Sequence, residues 1–260
     1  MIKNWLFTGD THGRLVRFHY LNPEIYEPKE TAIIIMGDAG FNYYLDKRDI
    51  RMKRDAARLG YTFYCVHGNH EARPQSIETM TTIYDEDVCN FVYIEPEYPN
   101  IKYFMNFITY KLDGLSTLVL GGAYSVDKFY RQAQGWQWFS DEQLSEQEME
   151  TFKRQLMNWE DQWGKTHYDL LLSHTCPLTK QPTELFLSMI DQSTVDNSME
   201  IWMEDIFKNH LTYDFHLFGH YHADKIVDSK TLMLYENIIS LGTLRALKTT
   251  GEIPEGFIVR

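Results

Sequence analysis

Five short apolar runs in this chain each break off into Asp, Asn or His, and that repeated join limits what the chain can become. Trp5-Leu6-Phe7 runs into Asp10-Thr11-His12, Ala32 to Met36 into Gly37-Asp38, and Phe63 to Val66 into Gly68-Asn69-His70-Glu71. Leu170 to Leu172 runs into Ser173-His174, and Phe215 to Phe218 into Gly219-His220-Tyr221-His222. Short apolar runs bounded by turn residues read as buried strands. In α/β sheets the loops at the carboxyl ends of strands converge on one crevice, so these polar residues are expected to meet in space.

Helical patterns and turn signals occupy the intervals. Leu45, Met52, Ala56 and Leu59 fall on one face of a candidate helix, Lys47, Arg48, Lys53 and Arg54 on the other, and Gly60 can end it in the left-handed conformation. Phe107 to Leu112 and Leu115 to Leu120 flank Asp113-Gly114, a dipeptide suited to a tight hairpin turn. Ser140 with Gln143 and Ser145 with Glu148 both have capping-box spacing, so a helix begins at one of them, with Phe152, Leu156, Trp159 and Trp163 on its apolar face. A further helix is expected through Met199 to His210, and strands at Lys225 to Asp228 and Leu232 to Leu234. No low-complexity tract, internal repeat or Pro/Gly/Ser-rich linker divides residues 1–260, which read as one α/β domain.

The residues at the run ends suit one task. Two carboxylates, several imidazoles and one amide, without a thiolate, match Mn²⁺, Fe²⁺, Zn²⁺, Co²⁺ or Ni²⁺. Asp-x-His and His-x-His put alternate side chains on one side of an extended segment, so both reach one cavity. Glycines before Asp38, Asn69 and His220 permit sharp turns there. A set of this size suits two ions, which about 3.5–4 Å apart clamp the attacking and leaving oxygens of a displacement at phosphorus. The 25 Lys and Arg against 37 Asp and Glu leave a formal charge of −12, which disfavours a broad nucleic-acid-binding face. Two bound dications would still make the cleft itself positive. Cys65, Cys89 and Cys176 are odd in number and unpatterned, as expected of free thiols in the cytoplasm. No apolar stretch reaches the roughly 18 residues of a membrane span, and a removable leader would take Asp10 and His12 with it.

Taken in order, Asp10-x-His12, Gly37-Asp38, Gly68-Asn69-His70-Glu71, His174 and Gly219-His220-x-His222 resemble the calcineurin-like metallophosphoesterase superfamily. The resemblance implies a four-layer αββα sandwich of two mixed β-sheets flanked by helices. It implies one ion held by Asp10, His12, Asp38 and His222, and a second by Asp38, Asn69, His174 and His220. Asp38 would bridge them together with a hydroxide, the nucleophile for in-line attack on a phosphomonoester or phosphodiester. His70 would be the general acid or would steady the phosphoryl oxygens, and Glu71 either orients His70 or is structural. Manganese is the favoured ion.

The chain also departs from better-known branches. Gly37-Asp38-Ala39-Gly40-Phe41-Asn42 lacks the Asp-Arg-Gly arginine of the phosphoprotein phosphatases, and nothing after His222 is long enough for the added domain of the nuclease branch. Gly121 to Lys128 with Arg131 resembles a stretch of small bacterial and phage members. Arg73, Lys128, Arg131 and Tyr124 are candidate contacts to the phosphate-ester substrate. Tyr124, Trp136 and Trp138 read either as core or as a lid, His67 as a strand-end histidine bonded to backbone, and Cys176 as a buried thiol. Competing functions are a metal-dependent nuclease or cyclic-nucleotide phosphodiesterase, and a non-catalytic metal-stabilised binding protein.

Overall fold

A computed structural model describes residues 1–186 and 191–250, and in it the five ligand-bearing runs are strands of two different sheets. In the first, β1 (Asn4–Thr8), β2 (Thr31–Ile35) and β3 (Thr62–Cys65) run parallel. The sheet continues through β6 (Ile101–Tyr103) to the antiparallel strands β5 (Asn90–Ile94) and β4 (Thr81–Asp85). On its other edge β13 (Ile238–Ser240) pairs antiparallel with β1. In the second sheet β8 (Leu115–Leu120), β9 (Thr166–Ser173), β10 (Leu211–Phe218) and β12 (Thr231–Met233) run parallel. The strands β7 (Thr109–Leu112) and β11 (Lys225–Ile226) lie antiparallel at its two edges.

Period-two alternation explains the layers. Trp5, Phe7, Ile34, Met36, Tyr64 and Val66 face a core shared with Val119, Leu170, Leu172, Phe215 and Leu217 of the second sheet. The residues between them, Leu6, Ile33, Ile35, Phe63 and Cys65, turn the other way onto α1 (Lys47–Leu59). Across the molecule, Leu118, Leu120 and Leu171 pack under Phe152 and Leu156 of α3 (Glu146–Trp163) and under Met203 and Ile206 of α4 (Ser198–Asn209). The stacking is helix, sheet, sheet, helix, the four-layer αββα sandwich of two mixed sheets. A last helix, α5 (Leu241–Thr250), adds Leu241, Leu244 and Leu247 to the inter-sheet core.

Local chemistry sets the element ends. Asp113 and Gly114 take φ values of 49° and 85°, the pair of positive φ angles that a two-residue hairpin needs, and Leu112 then faces Leu115. Ser145 wins over Ser140 as the start of α3, because its hydroxyl accepts from the Glu148 amide while the Glu148 carboxylate accepts from the Ser145 amide at 2.8 Å. Trp163, the last residue of that helix, is an exception to the expected apolar face and is 75% exposed.

The reading of α1 needs two corrections. Leu45 precedes the helix and is exposed, and Lys53, placed on the solvated face by periodicity, is buried in an ion pair with Glu95. Among the described residues no helix is long and apolar enough to cross a membrane.

Candidate metal centre

The carboxyl ends of β1, β2 and β3 from one sheet, and of β9 and β10 from the other, deliver their polar residues to one point. Asp38 is central. Its Oδ1 accepts from the His70 amide at 2.7 Å, while Oδ2 stands 3.6 Å from His174 Nε2 and 3.9 Å from both His12 Nε2 and His70 Nδ1. His12 Nε2 and His222 Nε2 point at each other across 2.9 Å. Asp10 Oδ1 accepts from the His220 amide at 2.9 Å; Oδ2 is buried with no donor aligned on it, and His222 Nε2 lies 3.3 Å away.

Close approach demands glycine at the turns. A Cβ on Gly37, at φ 94°, would lie 2.0 Å from His174 Nδ1, and one on Gly68 would lie 2.0 Å from Asp38 Oδ1.

The donor set fits divalent cations. His174 Nδ1 donates to the Met36 carbonyl at 2.7 Å, which fixes the ring, and Nε2 lies 2.7 Å from Asn69 Oδ1. His220 Nδ1 approaches the same Asn69 oxygen at 3.1 Å. Asn69 is held in this orientation by its Nδ2, which donates to Ser125 Oγ at 2.8 Å; Ser125 donates in turn to Glu142 Oε2 at 2.6 Å. Asp10, His12 and His222 bring donor atoms within 4.8 Å of one another, as do Asp10, Asp38 and His174, so each group could hold a metal ion, with Asn69 and His220 beside the second.

Protonation states agree. Burial raises the Asp38 carboxyl, but His70, His174 and His12 outweigh it and hold Asp38 well below the usual range. Burial likewise opposes ionisation of Asp10, and His174 and His222 prevail. Burial pushes His12 down, His220 to about 3 and His70 to about 4, against the pull of the carboxylates. His222 alone of these imidazoles is raised, through its pairing with Asp10. The carboxylates thus favour their ionised form, and burial disfavours the charged form of His12, His70 and His220, the combination that suits a cation.

Glu71 does not reach His70. Its Oε1 accepts from the Gly68 amide at 3.1 Å, which makes it a brace for the glycine turn; burial raises its carboxyl to about 8. His67 bonds through its carbonyl to the Gly122 amide at 2.8 Å, whereas its buried ring nitrogens have no partner. Cys176 is a buried free thiol.

The four candidate substrate contacts separate. Arg73 is buried and bonded to Glu148 Oε1 at 2.7 Å and to the carbonyls of Asp141 and Gln143, so it braces the start of α3. Lys128 opens α2 (Lys128–Gln134) and holds its Nζ 4.4 Å from the centre of the Trp138 ring. Arg131, also on α2, puts Nη2 at 2.7 Å and 3.0 Å from the two ring nitrogens of His70, while Asp127 and Tyr43 steady the guanidinium. Tyr124 lines the cavity next to Asp38 and His220. Trp136 is 54% exposed, so the segment leading to Trp138 is surface rather than core. Glu142 carries no local sign of its part in the site, and Ser125, although within the Gly121 to Lys128 stretch, carries none of its bond to an asparagine 56 residues earlier.

A family model described as calcineurin-like phosphoesterase matches residues 4–224. No curated protein matches the chain. Among solved structures, the chain is similar to TT1561 of Thermus thermophilus, at 15% identity over 95% of this chain and 96% of that one, with a TM-score of 0.49. It is similar also to the phosphopantetheinyl hydrolase of Mycobacterium tuberculosis, at 13% identity over 98% and 94%, with a TM-score of 0.48. The family match begins with β1 and extends past the last histidine of the cluster, and the chain belongs to the calcineurin-like phosphoesterase family.

Proposed function

We propose that the protein hydrolyses a phosphate ester with two divalent metal ions held by Asp10, His12, Asp38, Asn69, His174, His220 and His222. The observation that carries this reading is Asp38 Oδ2, a carboxylate oxygen 3.6 to 3.9 Å from ring nitrogens of His174, His12 and His70. When bound, the ions supply Lewis acidity toward phosphoryl oxygens and bring the pKa of water down toward neutrality.

The chain's own groups do the rest. His70, lowered to about 4 by burial, is neutral near pH 7, and a neutral imidazole serves as an N–H donor to a phosphoryl or leaving oxygen. Arg131 fixes the ring and brings a guanidinium to a site whose β2 loop carries no arginine, so positive charge for the phosphoryl oxygens comes from α2 instead. Asp127 holds Arg131 Nε at 2.7 Å and keeps it from swinging out to solvent.

Manganese-reconstituted protein is expected to hydrolyse 4-nitrophenyl phosphate or bis(4-nitrophenyl) phosphate. Asp38→Asn should lower kcat/KM by about 100-fold or more, since it removes the charge shared by both ion positions. Wild-type protein that binds metal yet cleaves neither ester, or an Asp38→Asn variant with full activity, overturns the reading.

A further inference from the structure

Beside the cation cluster lies a cavity of about 380 Å³, a size typical of small-ligand sites. Asp38, Asn69 and His220 close its inner end, and Tyr124, Val126, Phe186 and Tyr221 supply apolar wall. Phe186 and Tyr221 are nearly parallel, with ring centroids 6.1 Å apart. Every charged side chain that lines the cavity away from the cluster is acidic: Asp127, Asp196 and Glu200. Lys128 is not part of the lining; its Nζ lies 4.4 Å from the centre of the Trp138 ring and 5.8 Å from that of Tyr124.

Glu200 stands out among these. It is 3% exposed, its Oε1 accepts from Thr175 Oγ1 at 2.7 Å, and its Oε2 is buried with no hydrogen-bond partner. The same threonine hydroxyl lies 3.1 Å from the Tyr221 hydroxyl, so carboxylate and aromatic wall are fixed through one group. A buried carboxylate oxygen left without a donor carries a desolvation cost that a ligand N–H would relieve.

We propose that this cavity holds the organic part of the substrate, and that it selects an aromatic group bearing an amine, with the ring against Phe186 and Tyr221 and the amine on Glu200. The assignment rests on the phosphoesterase reading, which fixes the phosphate end at the cation cluster. A polyanion such as a nucleic-acid strand would bring further phosphates against a lining that, away from the cluster, offers acidic side chains and no Lys or Arg to receive them.

Manganese-loaded protein, titrated calorimetrically with tyramine and with 4-ethylphenol, tests it, because the two probes share a ring and differ in the ammonium group. Tyramine should bind about tenfold tighter or more. Glu200→Gln, which is isosteric and still accepts from Thr175, should erase that difference, and Val126→Trp, which fills the cavity, should weaken both probes; urea midpoints establish that the variants fold. Nitrophenyl-ester turnover with equal affinity for the probes, or a tyramine preference that survives in Glu200→Gln, overturns the pocket assignment and leaves the phosphoesterase reading in place. Absence of turnover in the wild type overturns that reading and the assignment with it.

Discussion

His12, Asp38, His220 and His222 hold φ values of 45°, 50°, 70° and 51°, a region that residues with a Cβ rarely occupy. Such conformations cost about 1–3 kcal/mol each and persist only where surrounding structure enforces them. Here the enforcement is visible, since the His12 amide donates to the Asp38 carbonyl at 2.8 Å and the His220 amide to Asp10. Ser125 extends the same logic to Asn69. With the hydroxyl gone, the amide loses the acceptor of its Nδ2, and its NH₂ can turn toward His174 and His220. Ser125→Ala should therefore weaken Mn²⁺ binding by about 10–100-fold. Titration followed by the paramagnetic signal of free Mn²⁺ reads this directly, and an unchanged affinity would show that Asn69 is oriented by other means. The cluster itself was legible in the sequence because each of its residues directly follows an apolar run. Arg131 was legible as a cation that could meet phosphate but not as the partner of His70, and the bonds from Asn69 to Ser125 and on to Glu142 arise only through the tertiary fold.

At the scale of the element, α1 shows where pattern reading stops. Its start and end follow from Asp46, which caps the Arg48 amide, and from Gly60 at φ 79°. Lys53, however, has its partner 42 residues away, just beyond β5, where Glu95 also accepts from Thr79 Oγ1 at 2.5 Å. Periodicity sees only the helix and therefore assigns a lysine to solvent. Because the pair is buried, Lys53→Met should destabilise the protein by about 3–5 kcal/mol through the charge left on Glu95. Adding Glu95→Leu should recover most of that loss in urea unfolding; no recovery would mean that Lys53 acts through packing of its stem. Other elements were missed for the opposite reason. Strand β4 reads Thr81-Thr82-Ile83-Tyr84-Asp85 and is largely exposed, while α2 turns Phe129 and Tyr130 outward, so neither carries an apolar stripe.

For the molecule as a whole, the buried histidines couple stability to pH. His216 lies between β10 and α4, with its ring 5.1 Å from that of Phe207 and its Nε2 2.7 Å from Ser173 Oγ. Burial lowers it to about 3, against the ordinary 6.5 of an accessible histidine. Its folded pKa thus lies below the unfolded one, and the unfolded chain takes up the proton first. The contribution to stability is full above about pH 6.5 and falls below it by up to about 1.4 kcal/mol per pH unit. Urea midpoints of metal-free protein between about pH 6.5 and 5, above the carboxylate range, should show this slope, and His216→Leu should make it shallower by about one proton. An identical slope in the variant would place the effect on other groups.

Strand β13 belongs to the same whole-molecule view. It lies beyond the 4–224 span of the family match, yet it closes the edge of β1, pairing Leu6 with Ser240 and Thr8 with Ile238. Just before it, the Leu234 carbonyl packs so tightly on Gly9 that a Cβ there would come within 1.9 Å. Asp10 and His12 follow directly on β1, yet that strand keeps one open edge until residues 238–240 pair with it. Such distant pairings form late in folding. The candidate metal cluster consequently depends on a segment that supplies it no donor: loosening residues 238–240 would unsettle Asp10 and His12 while leaving every donor atom of the cluster in the chain.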